Sequence, residues 1–146
     1  MFVSTTSHIL DTKGRIIVPA RYRDQLGSHP VLCRGLDECL DLYPREVWEE
    51  NVRFLKGLSP FDEDARLLLR FYYGGCDDEI EVDRQGRMLI SPFHRGYAGL
   101  DKDVLLVGVG DHIEIWNKER YEARNTFSDI SKIAQRFART HTDYIE

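Results

Sequence analysis

The sequence predicts an α+β protein with a mainly β core, built from two tandem copies of one small unit. Three observations carry this expectation: a self-similarity at an offset of 72 residues, an Asp-x-x-Gly-Arg turn in each half, and apolar runs that switch between strand and helix periods. His8 to Val18 lines up with Ile80 to Ile90, so that Asp11 matches Asp83, Gly14 matches Gly86, Arg15 matches Arg87 and, further on, Arg23 matches Arg95. After one extra residue in the second copy, Leu40-Asp41-Leu42-Tyr43 falls on Ile113-Glu114-Ile115-Trp116, and Trp48 on Tyr121.

Each copy reads as strand, tight turn, strand, short helix, two strands and a longer helix. Ile80-Glu81-Val82, Leu40-Asp41-Leu42 and Ile113-Glu114-Ile115 alternate apolar and acidic residues, the period of a half-buried strand. Ile16-Ile17-Val18 and Val104 to Val107 are unbroken apolar runs, as in strands covered on both faces. Pro19 stops the first run, and a short helix to about Leu26 follows, with Gly27 beyond its end. Pro44 stands at a first helical position, with Trp48, Val52 and Leu55 on one face before Gly57. Between the copies, Ser59 is the expected N-cap of a helix through Leu67-Leu68-Leu69, packed between the units and ended by Gly74-Gly75. Gly108-Val109-Gly110 reads as a turn between strands. Asn117 caps a last helix along which Phe127, Ile130, Ala134 and Phe137 recur, with fraying expected from about His141. The expected division is a first unit over 1–57, a connecting helix within 58–75 and a second unit over 76–146.

Length and composition narrow the function classes. With 146 residues, 42% hydrophobic and 31% charged, the chain can bury a core without disulfides, and no run approaches the roughly 20 apolar residues of a membrane helix. The N-terminus lacks the pattern of a signal peptide, so a cytoplasmic protein is expected. Cys33, Cys39 and Cys76 form no Cys-x-x-Cys pair and read as buried thiols, and the five histidines show no metal-ligand spacing, so neither metal nor cofactor is expected. No catalytic triad or complete dinucleotide fingerprint is present, which points away from an enzyme and a small-molecule substrate.

The net charge of −5 hides a segregation. Thr12 to Arg23 carries Lys13, Arg15, Arg21 and Arg23 without an acid, and Arg84 to Arg95 carries Arg84, Arg87 and Arg95 likewise. These 24 residues hold +7 and the other 122 hold −12. Taken once, the Asp-x-x-Gly motif describes a plain hairpin: the aspartate bonds local backbone and glycine suits the last position. Its repetition, each time followed by arginine and a basic segment, makes it a candidate reading head for double-stranded DNA. A two-stranded ribbon fits the major groove, and a guanidinium can bond O6 and N7 of guanine. Arg15 and Arg87 are the expected base readers, with Lys13, Arg21, Arg23, Arg84 and Arg95 holding phosphates. For Arg21, Arg23 and Arg95 the competing reading is ion pairing with acids such as Asp24.

The stretches Asp11 to Arg23, Leu42-Tyr43-Pro44 with Trp48, Asp83 to Arg87 through Leu100, and Val104 to Trp116 together resemble the bacterial MraZ family over nearly the whole chain. That resemblance implies two swapped-hairpin units of the AbrB/MazE type fused into a double-split β-barrel with flanking helices. It implies a ring-shaped homo-oligomer, associated with the nucleoid, that binds tandem G-rich promoter repeats of the division and cell-wall gene cluster, usually repressing it. Ring assembly would offset the acidic charge by avidity, on sites spaced about 10 to 10.5 base pairs apart. An antitoxin-like protein-interaction module on the same fold is the alternative. One departure stands out: the position equivalent to Pro19 is Ser91, and Pro92 follows instead, a shift that can move the start of the second short helix and Arg95 with it. Lys13 against Gln85 marks the first copy as the stronger reader.

Overall fold

In the computed structural model, which describes residues 1–140, the chain runs β1 (Thr5–Ile9), β2 (Arg15–Ile17), α1 (Ala20–Leu26), β3 (Val31–Arg34), β4 (Leu40–Tyr43), α2 (Arg45–Asn51) and α3 (Glu63–Gly74). It continues as β5 (Arg87–Leu89), α4 (Pro92–Ala98), β6 (Asp103–Gly108), β7 (Ile113–Asn117), α5 (Lys118–Arg124) and α6 (Ile130–Thr140). The fraying expected from His141 onward lies outside the described residues.

The two copies exchange strands. One five-stranded antiparallel sheet has the order β1-β6-β7-β4-β3, and β2 pairs with β5 as a separate two-stranded ribbon. Thr5 stands opposite Val107 and Ile9 opposite Asp103, while Leu40 faces Ile115 across the central joint between the copies. At each Asp-x-x-Gly-Arg turn the hairpin is therefore confined to the tip, where Asp11 N–H donates to Arg15 O (2.9 Å) and Asp83 N–H to Arg87 O (3.0 Å). An α+β class with a mainly antiparallel β core is what these pairings define.

The exchange is held by a core whose members repeat in pairs. Ile16 and Met88, Val18 and Ile90, and Leu42 and Ile115 are all within 1% of fully buried. Leu40 and Ile113 join them in the same cluster. Each such side chain is worth roughly 1.5–3 kcal/mol against exposure. Strands contributed by both copies share this core, so neither half can bury its apolar face alone.

Several expected elements are corrected. Ile80-Glu81-Val82 forms no strand beyond an isolated Val82–Met88 bridge. The connecting helix is capped by Asp62, which accepts from Asp64 N–H (2.9 Å) and Ala65 N–H (3.4 Å), while Ser59 Oγ instead receives Phe61 N–H (3.2 Å) in the turn before it. Two of its leucines are not packed between units: Leu67 is 62% and Leu68 38% exposed, while Ala65 is the buried residue of the helix and Leu69 is part-buried. Pro44 precedes α2 rather than opening it, and Val52, at φ −87 and ψ 0, tightens the chain into a 3-10 helix over Arg53–Gly57 that still buries Leu55. The last helix divides in two. Asn117 Oδ1 caps α5 at Arg120 N–H (2.9 Å), Asn125 Nδ2 closes on Tyr121 O (3.0 Å), and α6 then starts with Ile130 and Ile133 exposed. Among the described residues no helix is long and apolar enough to cross a membrane.

Candidate nucleic-acid interface

Each Asp-x-x-Gly-Arg turn is a small lock built around one carboxylate. In the first, Gly14 N–H donates to Asp11 O (3.0 Å), Asp11 Oδ1 accepts from Lys13 N–H (2.9 Å) and Arg15 N–H (2.8 Å), and Oδ2 accepts from Arg15 Nε (2.8 Å). In the second, Gly86 donates to Asp83 O (2.9 Å), Oδ1 accepts from Gln85 and Arg87 N–H (2.9 Å each), and Oδ2 from Arg87 Nε (2.7 Å). The backbone N–H of Arg15, aided by its guanidinium, holds the Asp11 carboxyl below the usual carboxylate range, and Arg87 does the same to Asp83. Only Nε is engaged by the aspartate, so the fork of terminal nitrogens at the end of each arginine is aimed by the turn without being consumed by it.

Both glycines are required by geometry. Gly14 has φ +84 and Gly86 φ +82, a region that L side chains rarely adopt. A Cβ on Gly14 would also come within 2.8 Å of Arg95 Cζ, and one on Gly86 within 3.1 Å of Arg23 Cζ. Each turn thus lies under an arginine from the other copy. The strand exchange produces this crossing: Val18 N–H donates to Gly86 O (2.8 Å) and Ile90 N–H to Gly14 O (2.9 Å), which stitches each outgoing strand to the opposite turn.

The second short helix is not displaced by Ser91-Pro92, contrary to expectation. α4 starts at Pro92, the repeat equivalent of Ala20, because Ser91 Oγ caps it by accepting His94 N–H (3.2 Å) and Pro92 occupies the first helical position. Arg95 accordingly takes the same place over the first turn that Arg23 takes over the second. The competing reading of these arginines also fails: among the described residues Arg21, Arg23 and Arg95 make no ion pair with Asp24 or another acid. Arg21 is exposed, stacks 4.7 Å over the Tyr22 ring and donates to its hydroxyl (3.1 Å). The Nε atoms of Arg23 and Arg95 are buried without a hydrogen-bond partner.

The two-stranded ribbon presents a face that sequence reasoning missed. Ile16 and Met88 point into the core, so Arg15 and Ile17 on one strand, and Arg87 and Leu89 on the other, share the outer side. Arg15 stands opposite Leu89 and Ile17 opposite Arg87. Ile17, expected to be deeply buried, is 58% exposed, and Leu89 57%. A three-residue strand is too short to display its alternation, which only the pairing reveals. Lys13 and Arg84 are exposed on the turns themselves. The ribbon and its turns therefore carry Lys13, Arg15, Arg84 and Arg87 with the crossed pair Arg23 and Arg95, whereas Arg21 on α1 is held at Tyr22, whose hydroxyl bonds Val3 O.

One group elsewhere has metal-ligand chemistry: Cys39, Asp41 and Glu114 place ligand atoms within 4.8 Å of one another on the sheet. Glu114 already accepts Trp116 Nε1–H (3.0 Å), and burial, with the charges of Asp41 and Glu114, pushes the Cys39 thiol up, so this group reads as a part-buried polar patch of the fold. Of the three cysteines, Cys33 and Cys39 are buried as expected, but Cys76 is part-exposed.

Fold and site together define a class: one chain holding two exchanged copies of a ribbon-and-turn unit, with a basic outer ribbon. The family model described as "MraZ protein, putative antitoxin-like" matches residues 1–71 and again residues 75–141, one match per copy. The chain is 50% identical over 134 residues to the transcriptional regulator MraZ of Lachnoclostridium phytofermentans, covering 92% of this chain and 93% of that protein. It is 44% identical over 131 residues to the protein of the same name from Desulforamulus reducens, covering 90% and 92%, and 42% identical over 138 residues to that of Moorella thermoacetica, covering 93% and 96%. The chain belongs to the MraZ family.

Proposed function

We propose that this chain is a sequence-specific, DNA-binding transcriptional regulator that represses the division and cell-wall gene cluster. The observation that carries the reading is the duplicated lock: two aspartates aim two arginines outward from one narrow antiparallel ribbon. A two-stranded ribbon enters the major groove, where Arg15 and Arg87 meet guanine edges through their terminal nitrogens. Ile17 and Leu89 between them suit thymine methyl groups. Lys13, Arg84 and Arg21 hold phosphates, and the buried, unpartnered Nε groups of Arg23 and Arg95 fit an anion or ordered water beside each turn.

In this reading the two interleaved halves act as one double-split barrel, and several chains close into a ring on the nucleoid. Its linked ribbons meet tandem G-rich boxes spaced about 10 to 10.5 base pairs apart. Avidity then offsets the net charge of −5, since each added ribbon binds at a high effective concentration. The relatives' shared name as transcriptional regulators supports this assignment.

The test is to titrate the protein against its own upstream DNA and against a scrambled sequence over a series of salt concentrations, with sedimentation run in parallel. The expected result is tighter binding to the promoter, a steep loss of affinity with salt, and a closed oligomer. Equal affinity for the two DNAs would end the regulator reading, and a monomer at all concentrations would end the ring.

A further inference from the structure

Cys33 on β3 and Cys76, two residues past α3, take no part in the candidate interface, yet their Sγ atoms stand 2.7 Å apart although 43 positions separate them. The backbone puts them there. Leu32 N–H donates to Asp77 O (3.0 Å), Asp77 N–H to Leu32 O (2.7 Å), and Arg34 N–H to Gly75 O (3.2 Å). Cys33 and Cys76 are thereby the directly opposed residues between two bonded positions of a short antiparallel ladder. At such a non-hydrogen-bonded pair the Cα atoms are about 4.5 Å apart, within the roughly 4.4–6.8 Å that a disulfide spans.

The two thiols are chemically unequal. Cys76 has one hydrogen but two acceptors in reach, Cys33 Sγ and Tyr72 O at 2.8 Å, so one of the two contacts must be donated by Cys33. A hydrogen bond from Cys33, with the Arg34 guanidinium nearby, favours the Cys76 thiolate, whereas the same partnership and burial push the Cys33 thiol up. A cleft of about 120 Å³ lined by Cys33, Tyr43, Trp48, Asn51 and Tyr72 reaches the Cys33 side of the pair, and Cys76 itself is part-exposed. Part-exposed Cys76 is open to hydrogen peroxide, while the cleft, which holds only a few water-sized molecules, leaves no room for a larger oxidant beside Cys33.

We propose that Cys33 and Cys76 are a reversible disulfide site whose oxidant is hydrogen peroxide. The Cys76 thiolate attacks one peroxide oxygen; the O–O bond breaks, a sulfenic acid forms on Cys76, and the departing hydroxide takes up a proton to become water. The Cys33 sulfur then attacks the Cys76 sulfur. The S–S bond forms, the S–O bond breaks, and the hydroxyl leaves as a second water with the proton of Cys33. Two thiols are oxidised and one peroxide is reduced to two waters; an external thiol reverses the step. The bond ties β3 to the exit of α3, closing a loop that contains α2 and α3, and does not depend on how the protein reads DNA.

The experiment treats the full reduced chain with graded hydrogen peroxide, alkylates the remaining thiols, and maps non-reduced peptides by mass. The expected result is one Cys33–Cys76 linkage with Cys39 still alkylated, removed by dithiothreitol, and a melting temperature raised by roughly 5 °C in the oxidised form. Cys33→Ser should accumulate a sulfenic acid on Cys76 that a dione probe traps. The proposal is overturned if the parent chain keeps three alkylatable thiols at peroxide levels that oxidise free cysteine, or if the linkage found uses Cys39 or joins two chains. Because the mapping is done on the parent chain, it decides the matter even if the variant does not fold.

Discussion

Thr5–Ile9 reaches the first turn as a strand paired along its whole length with β6, whereas the equivalent stretch Asp77–Glu81 approaches the second turn beside one isolated bridge, Asp77 to Leu32. Beyond these approaches the copies converge, and the two turns match bond for bond. The difference follows from composition. Thr5-Thr6-Ser7 tolerates an extended, paired backbone, while Asp77-Asp78-Glu79 sets three carboxylates in succession, residues that are poor in strands and repel one another. The turns are spared because each is fixed from elsewhere: by its own aspartate, by the other copy's strand and by the other copy's arginine. A turn can therefore be duplicated faithfully while its supporting strand drifts.

The largest expected effect tests the shared core. Ile16→Ala and Met88→Ala should each cost about 2–5 kcal/mol in chemical denaturation, since both side chains are fully buried at repeat-equivalent places. A loss confined to one of them would show that the halves are not packed alike.

Next in size are the turn glycines. Gly14→Ala and Gly86→Ala should each destabilise by about 1–3 kcal/mol through strain at positive φ, the new methyl meeting the end of Arg95 at Gly14, and Arg23 with the Val18 carbonyl at Gly86. Adding Arg95→Ala should recover part of the Gly14→Ala loss and none of the Gly86→Ala loss. Equal recovery in both would contradict the crossed arrangement.

The leading strands should respond in opposite directions. Asp78→Thr is expected to gain, and its repeat equivalent Thr6→Asp to lose, up to about 1 kcal/mol by thermal unfolding. If both changes are neutral, carboxylate crowding is not what shortens the second strand.

Smallest of all is the acid response of the turns. Asp11 and Asp83 are both held below their ordinary range, so the stability they contribute is complete above the unfolded value of about 3.9 and is lost as pH falls through the lower folded value. Carboxyl titration by NMR should give two depressed midpoints. An ordinary midpoint for one aspartate alone would break the equivalence of the turns.

Much of this was legible in the residues. The repeat, both Asp-x-x-Gly-Arg turns, the extent of α1, the places of β4 and β7, and the basic segments can be read from spacing, because turns and amphipathic periods are local. Strand partners are not local, so the exchange of β2 with β5, and with it the outward face of Ile17 and Leu89, left no mark in a three-residue run. The same holds for Arg95: its position depends on Ser91 acting as a cap, which conserves the helix start that the displaced proline had put in question. The exposed leucines of α3 look like core by composition and are distinguished only by which helix face meets the sheet.

The central proposal is that both turns read DNA, the first more strongly than the second. It is tested most directly by measuring the affinity of the parent chain, Arg15→Ala and Arg87→Ala for the upstream promoter and for scrambled DNA at one salt concentration. Each variant should lose about 1–3 kcal/mol of specific binding while keeping its non-specific binding, since the surface ion pair removed contributes little to folding. Promoter binding by both variants equal to that of the parent would contradict the account.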